Sequence, residues 1–269
     1  MATEATKQRA GARPLGLVTG ASTGIGAAFA AQLAHDGHDL IIVARNRLRL
    51  ETLADRLHKA HGVSVKPVVA DLTEAAALRG VERLVHDAEL DLLVNNAGFG
   101  TAGAFARLGV AQEEEEIRLN VVALMRLTHA VLPGMLKRRR GAIINVSSLT
   151  AFQPMAFNAT YAATKAFVNS FTESLHEELR GTGVRVQALC PGFTRTEFQA
   201  RAGVNTADVP GFAWMSPEAV AEASLHALRG GDVICVPGLT NRALATVVAV
   251  LPRRVTRRVS GILGKRTQS

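Results

Sequence analysis

Short apolar runs, separated by longer stretches of mixed character, set the rhythm of this chain. Residues 15–19 (LGLVT), 39–43 (DLIIV), 63–70, 91–94, 142–146, 184–189 and 232–236 are brief and rich in Val, Ile and Leu. Runs of this kind, with little polar alternation, predict strands buried on both faces. Between them, residues 27–35, 47–61 and 73–88 carry apolar positions at helical spacing. Ser216-Pro217-Glu218 opens a further helix to Leu228, with a capping hydroxyl and a proline at the first helical position. Strand and helix in alternation predict an α/β chain: a Rossmann-like, doubly wound parallel sheet with helices on both faces.

The 269 residues contain neither a Gly/Pro-rich linker nor an internal repeat, so residues 14–240 are expected to form a single domain. Residues 1–13 have no apolar core and read as a disordered leader, not a signal peptide. Residues 197–213 follow no clear period, and the wider span 193–215 is expected to be a mobile lid. Residues 241–269 alternate apolar residues with arginine pairs around Pro252. That pattern predicts a basic amphipathic extension lying on a membrane surface, over a substrate mouth or at an oligomer interface. The apolar run 243–251 is too short to span a bilayer, so the expected location is cytoplasmic, with peripheral contact to the membrane's inner face as an option.

Charge changes this picture only locally. The net charge is +8, yet no acid follows Val233, and Arg242, Arg253, Arg254, Arg257, Arg258, Lys265 and Arg266 carry nearly all of it. A basic tail on a near-neutral body argues for a local contact and against a protein built around nucleic acid. Cys190 and Cys235 sit inside predicted strands and read as inert core thiols. His176-Glu177 begins like a zinc-binding helix, but Arg180 stands where a second histidine is needed, so no metal site is expected. Glu113, Glu114, Glu115 and Glu116, near the start of a predicted helix, read as a solvated face without a catalytic role.

The candidate chemistry lies at the ends of the strands. Gly20-Ala21-Ser22-Thr23-Gly24-Ile25-Gly26 joins the first strand to a helix, where glycines permit a tight turn and helix amides favour a phosphate. After the second strand, Arg45 stands where a 2′-phosphate of NADP would be read, with Ser22 as a second contact and Arg47 a weaker candidate. Asp71-Leu72 closes the third strand, and Asp71 is placed to accept from an adenine amino group. Asn95-Asn96-Ala97-Gly98 closes the fourth. Asn120 is an amide in an apolar stretch, either a hydrogen-bonding hub or part of a proton path. Pro191-Gly192-Phe193-Thr194-Arg195-Thr196 ends a later strand, and Thr196 can donate to a carboxamide or phosphate. Tyr161 and Lys165, four apart, share one helical face, where the ammonium is expected to lower the phenol's pKa and fit it for general acid or base work. Ser148 is placed to hold a substrate oxygen, with Ser147 the neighbouring alternative.

Together these motifs, from Thr19-Gly20 through Asp71, Asn95-Asn96-Ala97-Gly98, Asn120, Ser148, Tyr161, Lys165 and Pro191-Gly192, resemble the classical short-chain dehydrogenase/reductase family over about residues 14–237. The resemblance implies carbonyl reduction or alcohol oxidation with NADP(H). Tyr161 would be the general acid, Ser148 would hold the carbonyl oxygen, Lys165 would tune the phenol and bind the nicotinamide ribose, and Asn120 would complete a water-linked relay. It further implies a cofactor cradle of Gly20, Ser22, Thr23, Gly24, Ile25, Gly26, Arg45, Asp71, Leu72, Asn95, Ala97, Gly98, Pro191, Gly192, Thr194 and Thr196, and a homodimer or homotetramer. The segments Asn158 to Asn169 and Val236 to Thr240 are similar to actinobacterial 3-oxoacyl reductases of the mycolate type. An apolar channel from Phe99, Phe152, Phe157, Phe193, Phe198 and Trp214 fits a 3-oxoacyl chain on coenzyme A or an acyl carrier protein. A steroid or xenobiotic ketone, an alcohol dehydrogenase, or an NADP(H) sensor without turnover are the alternatives.

Overall fold

The computed structural model describes residues 13–203, 206 and 209–266, so nearly all of the predicted leader lies outside the described residues. Seven parallel strands form one sheet in the order β3-β2-β1-β4-β5-β6-β7. They are β1 (Leu15–Thr19), β2 (Asp39–Ala44), β3 (Val65–Val69), β4 (Leu92–Asn95), β5 (Gly141–Val146), β6 (Val184–Leu189) and β7 (Ile234–Cys235). The helices are α1 (Gly24–His35), α2 (Arg47–His61), α3 (Ala75–Asp87), α4 (Val110–Ile117), α5 (Leu124–Arg138), α6 (Ala159–Glu178), α7 (Phe198–Arg201), α8 (Pro217–Gly230), α9 (Leu239–Val250) and α10 (Arg253–Arg266). The predicted single-domain, doubly wound sheet is what forms.

Strand alternation explains the two layers. Val18 and Ile42 face one side and pack with Phe29, Leu33 and Leu50 of α1 and α2 and with Val220 and Leu225 of α8. Their neighbours Leu17, Ile41 and Val43 face the other side, with Leu78 and Val81 of α3, Leu127 and Val131 of α5 and Leu175 of α6. Each fully buried side chain of this size contributes roughly 1.5–3 kcal/mol, which is why central strands read as continuous apolar runs. At the edge, β3 exposes Lys66 and Pro67, a charge and a missing donor that discourage further pairing.

Caps fix where the helices begin. Ser216 Oγ accepts from Ala219 N at 3.1 Å to start α8, as the sequence predicts, and Asn46 Oδ1, which the sequence did not single out, accepts from Arg49 N at 3.0 Å to start α2. Strand order reverses at β1, whose neighbours are β2 and β4, and a crevice opens there at the carboxyl ends of the strands.

Candidate active site

A cleft of about 920 Å³ occupies that crevice and runs from Arg45 and Asp71 at one end to Tyr161, Phe152 and α9 at the other. At the first end, Gly20 (φ 65°) and Gly24 (φ 55°) adopt backbone conformations that glycine alone takes without strain. A Cβ on Gly26 would come within 2.4 Å of Gly20 O and Asn96 Nδ2, so this third glycine serves close packing and does not line the cleft. Ser22, Thr23, Gly24 and Ile25 do line it, with Arg45, Asp71, Leu72, Ala97 and Gly98. Arg45 is largely exposed, with Nη1 3.5 Å from Asp71 Oδ2. Burial pushes the Asp71 carboxyl upward, but hydrogen bonds from Thr73 and the Arg45 charge outweigh it and hold the group below its ordinary value. Arg47 turns away to Glu51, at 3.3 Å; Arg49 lines the cleft instead.

At the chemical end the predicted trio converges. Tyr161 and Lys165 lie one turn apart on α6, both buried, with Lys165 Nζ 5.6 Å from the phenol ring centre. Lys165 Nζ donates to Val146 O at 2.8 Å, tying α6 to the end of β5. Ser148 lies beside the phenol and draws its pKa down, whereas Ser147 Oγ donates to Lys165 O at 3.0 Å and is spent on structure. Ser148 Oγ accepts from Thr150 N at 3.2 Å and so keeps its hydroxyl proton for a substrate oxygen. The phenol's pKa departs from the expectation. Burial raises it above the ordinary tyrosine value, Ser148 pulls it down, and the Glu116 charge pushes it further up. With Phe198 of α7 packed 5.4 Å from its ring, Tyr161 is held as a neutral acid. Burial lowers Lys165 to about 8, against the opposing pull of Glu116 and Cys190.

Asn120 occupies a π-helical turn, Arg118–Ala123, between α4 and α5. The extra residue in such a turn re-aims a side chain. Its Oδ1 accepts from Phe99 N at 3.1 Å, while Nδ2 donates to Phe99 O at 2.8 Å and to Thr164 Oγ1 at 3.2 Å. The side chain thus clamps the 98–100 loop to α6, the hub of the two readings. A Cβ on Gly98 would lie 2.8 Å from Asn120 Oδ1, so only glycine passes there.

The short chain dehydrogenase family model matches residues 15–206. The chain belongs to that family. Among its relatives, a ketoacyl reductase, HetN, of Nostoc sp. is 31% identical over 79% of this chain and 74% of its own. A very-long-chain 3-oxoacyl-CoA reductase of Anas platyrhynchos is 31% identical over 78% and 67%. A short-chain dehydrogenase of Sphingobium yanoikuyae, solved in complex with NADPH, superposes with a TM-score of 0.80 at 37% identity, covering 89% of this chain and 96% of that one.

This dehydrogenase corrects several sequence-based placements. Asn95, expected to meet the cofactor through its backbone, does not line the cleft, and its side chain turns away, with Nδ2 donating to Asn145 Oδ1 at 2.9 Å and Thr128 Oγ1 at 3.0 Å. The neighbouring Asn96 does, with Nδ2 donating to Thr19 O at 2.9 Å, while Thr19 Oγ1 accepts from Asn96 N and Ala97 N at 3.0 Å each. Pro191, Gly192, Phe193, Thr194, Thr196 and Phe198 line the cleft, as do Phe99 and Phe152. Phe157 does not: it holds a positive φ of 63°, and its carbonyl accepts from Gly103 N at 2.8 Å. Trp214 packs on the outer face of Phe193, with ring centres 5.4 Å apart, and borders a separate groove. Leu244, Ala245 and Val248 of α9 supply apolar wall that composition alone did not place.

The four glutamates need the largest correction. Glu114 and Glu115 are exposed, but Glu113 and Glu116 are buried, at 5% and 0% exposure, while Ile117 beside them is 43% exposed. Both cysteines are buried free thiols, as expected; burial pushes Cys190 up to about 12 and Cys235 up to about 11.

Proposed function

We propose that this dehydrogenase reduces the carbonyl of a 3-oxoacyl thioester, or of another long apolar ketone, with NADPH. One observation carries the reading: a buried, neutral phenol, with Ser148 beside it and a lysine one turn along, faces a cleft whose far wall is apolar. The size and lining of the cleft fit a dinucleotide, with Gly20 to Gly24 at the pyrophosphate, Arg45 at a 2′-phosphate, and Lys165 at the nicotinamide end. When bound, the reduced nicotinamide supplies the hydride to the carbonyl carbon. Ser148 then orients the carbonyl oxygen, and Tyr161 gives that oxygen its proton as the C–H bond forms. Lys165, as an ammonium, stabilises the phenolate left behind. Asn120 keeps the loop beside Tyr161 in register and is assigned a place in refilling the phenol with a proton.

Phe99, Phe152 and Phe198 at the mouth, with Leu244 and Val248, suit an acyl chain. The names of HetN and of the Anas reductase point to the same class. Turnover of acetoacetyl and longer 3-oxoacyl thioesters against cyclic and steroid ketones tests this. Catalytic efficiency should rise with chain length, and equal rates on simple cyclic ketones would favour the ketone reading. Tyr161→Phe should lower kcat on the order of a hundredfold or more while leaving NADPH affinity unchanged, measured by cofactor fluorescence. An active Tyr161→Phe variant would remove the phenol from the mechanism.

A further inference from the structure

Behind the catalytic helix lies a buried acid pocket that the reaction as written does not use. Thr101 Oγ1 donates to Glu116 Oε2 at 2.8 Å, and Thr160 Oγ1 donates to Glu113 Oε2. The other oxygen of each carboxylate, Oε1, is buried without a hydrogen-bond partner. Two acids with half their oxygens unsatisfied are costly in a protein interior, and such a cost calls for a compensating charge. Glu116 precedes Asn120 by four residues, so the clamp and the acid occupy adjacent turns behind the 98–101 loop. Gly100 of that loop is so close to Tyr161 that a Cβ there would sit 2.9 Å from the phenol ring.

Among the described residues the ionisable groups that act on Glu116 are Glu113 on its own helix and Lys165 on α6; Glu116 in turn acts on Tyr161, and Cys190, just past β6, acts on Lys165. Lys165 is a buried cation beside this pocket: a Cβ on Gly98 would lie 2.8 Å from Asn120 Oδ1, one turn beyond Glu116, and 3.6 Å from Lys165 Nζ. We propose that Glu116 is a positioning residue acting through Lys165: its carboxylate is the counter-charge that keeps the buried lysine an ammonium, and so sets the alkaline limit of reduction. Burial raises Glu116 to about 7, with Thr101 opposing and the Glu113 charge adding to the rise. Burial acts on the two groups in opposite directions, raising Glu116 and lowering Lys165, so each charge is held in place by the other.

This inference rests on the proposed role of Lys165, and its test separates the two. Lys165 is one of six lysines, so carbon-13 NMR of protein labelled at lysine Cε, assigned with Lys165→Met, reads its titration in the free protein. In Glu116→Gln the Lys165 midpoint should fall by on the order of one pH unit, the size expected for losing one nearby opposite charge. The alkaline limb of kcat/KM with acetoacetyl coenzyme A should move with it, and Glu116→Asp, which keeps the charge, should restore most of both shifts. Should Glu116→Gln not fold, Thr101→Val, which withdraws the hydrogen bond stabilising the carboxylate, should shift Lys165 the same way by less. Superimposable Lys165 titrations in wild type and variant would overturn the inference. If the wild type reduced no carbonyl compound, the proposed function would fall, and the NMR titration would still decide the role of Glu116.

Discussion

Glu116 carries a signature in folding as well as in catalysis. Its carboxyl is raised from 4.5 to about 7 in the folded chain, so the fold binds a proton there that the unfolded chain releases. The stability tied to that proton is fully present below the unfolded value and is lost as pH rises through about 7. Glu116→Gln keeps the size of the side chain and cannot ionise. Its unfolding free energy should therefore gain on the wild type between pH 5 and pH 8, by on the order of 1–3 kcal/mol. Chemical denaturation at the two pH values checks this, and a constant difference between the proteins would contradict it. Arg45 is a separate matter at the same scale. It is exposed and paired with Asp71, at 3.5 Å, so an incoming phosphate meets a guanidinium already fixed at the cleft mouth. Arg45→Ala should weaken NADPH on the order of tenfold to a hundredfold and NADH hardly at all. Equal losses in a fluorescence titration with both cofactors would assign the 2′-phosphate elsewhere, with Arg49 the next candidate.

The short helix α7 is held across the cleft by one carboxylate. Arg49 Nη1, from α2, donates to Glu197 Oε1 at 3.1 Å and Oε2 at 3.0 Å, and Arg201 bonds the same group. The two arginines and hydrogen bonds hold Glu197 below its ordinary carboxyl value. Since α7 also brings Phe198 against Tyr161, this latch helps keep water from the phenol. Glu197→Gln should leave the unfolding midpoint unchanged, because exposed pairs add little to stability. It should nonetheless raise the cofactor KM several-fold and speed proteolysis within 198–215, whereas an unaltered KM would deny the latch a part in closure. Elements with uniform chemistry were legible in the chain: the strands are apolar on both faces, and the α8 cap is a local hydroxyl-to-amide contact. The α4 acids were not legible, because carboxylates pattern as solvent face and only the 98–103 loop and α6, distant in sequence, bury two of them. Nor was the π-helical turn at Asn120, whose residues suit an α-helix equally well. The same limit explains Ser147 and Ser148, adjacent hydroxyls separated only by which one the end of β5 turns toward α6.

At the scale of the whole molecule, motif order along the chain was enough to anticipate the sheet, since right-handed crossovers leave few ways to wind alternating strands and helices. The tail left three options open, and α9 lines the cleft with Asn241, Leu244, Ala245 and Val248. Asn241 of α9 is buried against Gly192, where a Cβ would meet its Oδ1 at 2.6 Å, and its Nδ2 donates to Pro237 O at 2.8 Å. Ser260 of α10 accepts from Ala156 N at 2.7 Å, pinning the second helix to the loop between Ser148 and Tyr161. One side of α9 therefore faces the cleft. Elsewhere the two helices leave Leu239, Val247, Val250, Val255 and Val259 exposed, with Arg254, Arg257 and Arg258 exposed in the same segment. Apolar side chains ringed by cations suit the surface of an anionic bilayer, and a mouth beneath that surface would receive an apolar substrate without passage through water. Each arginine near such a surface contributes about 1 kcal/mol, so three reversed charges should cost binding more than a hundredfold. The wild type should sediment with phosphatidylglycerol vesicles at low salt, and far less with phosphatidylcholine vesicles or at high salt. Replacing Arg254, Arg257 and Arg258 together with glutamate should abolish that binding while leaving turnover of a short, soluble 3-oxoacyl thioester intact. If the wild type ignored anionic vesicles, the outer face of the tail would have to be covered by protein, and light scattering across a concentration series would then show an assembly larger than one chain.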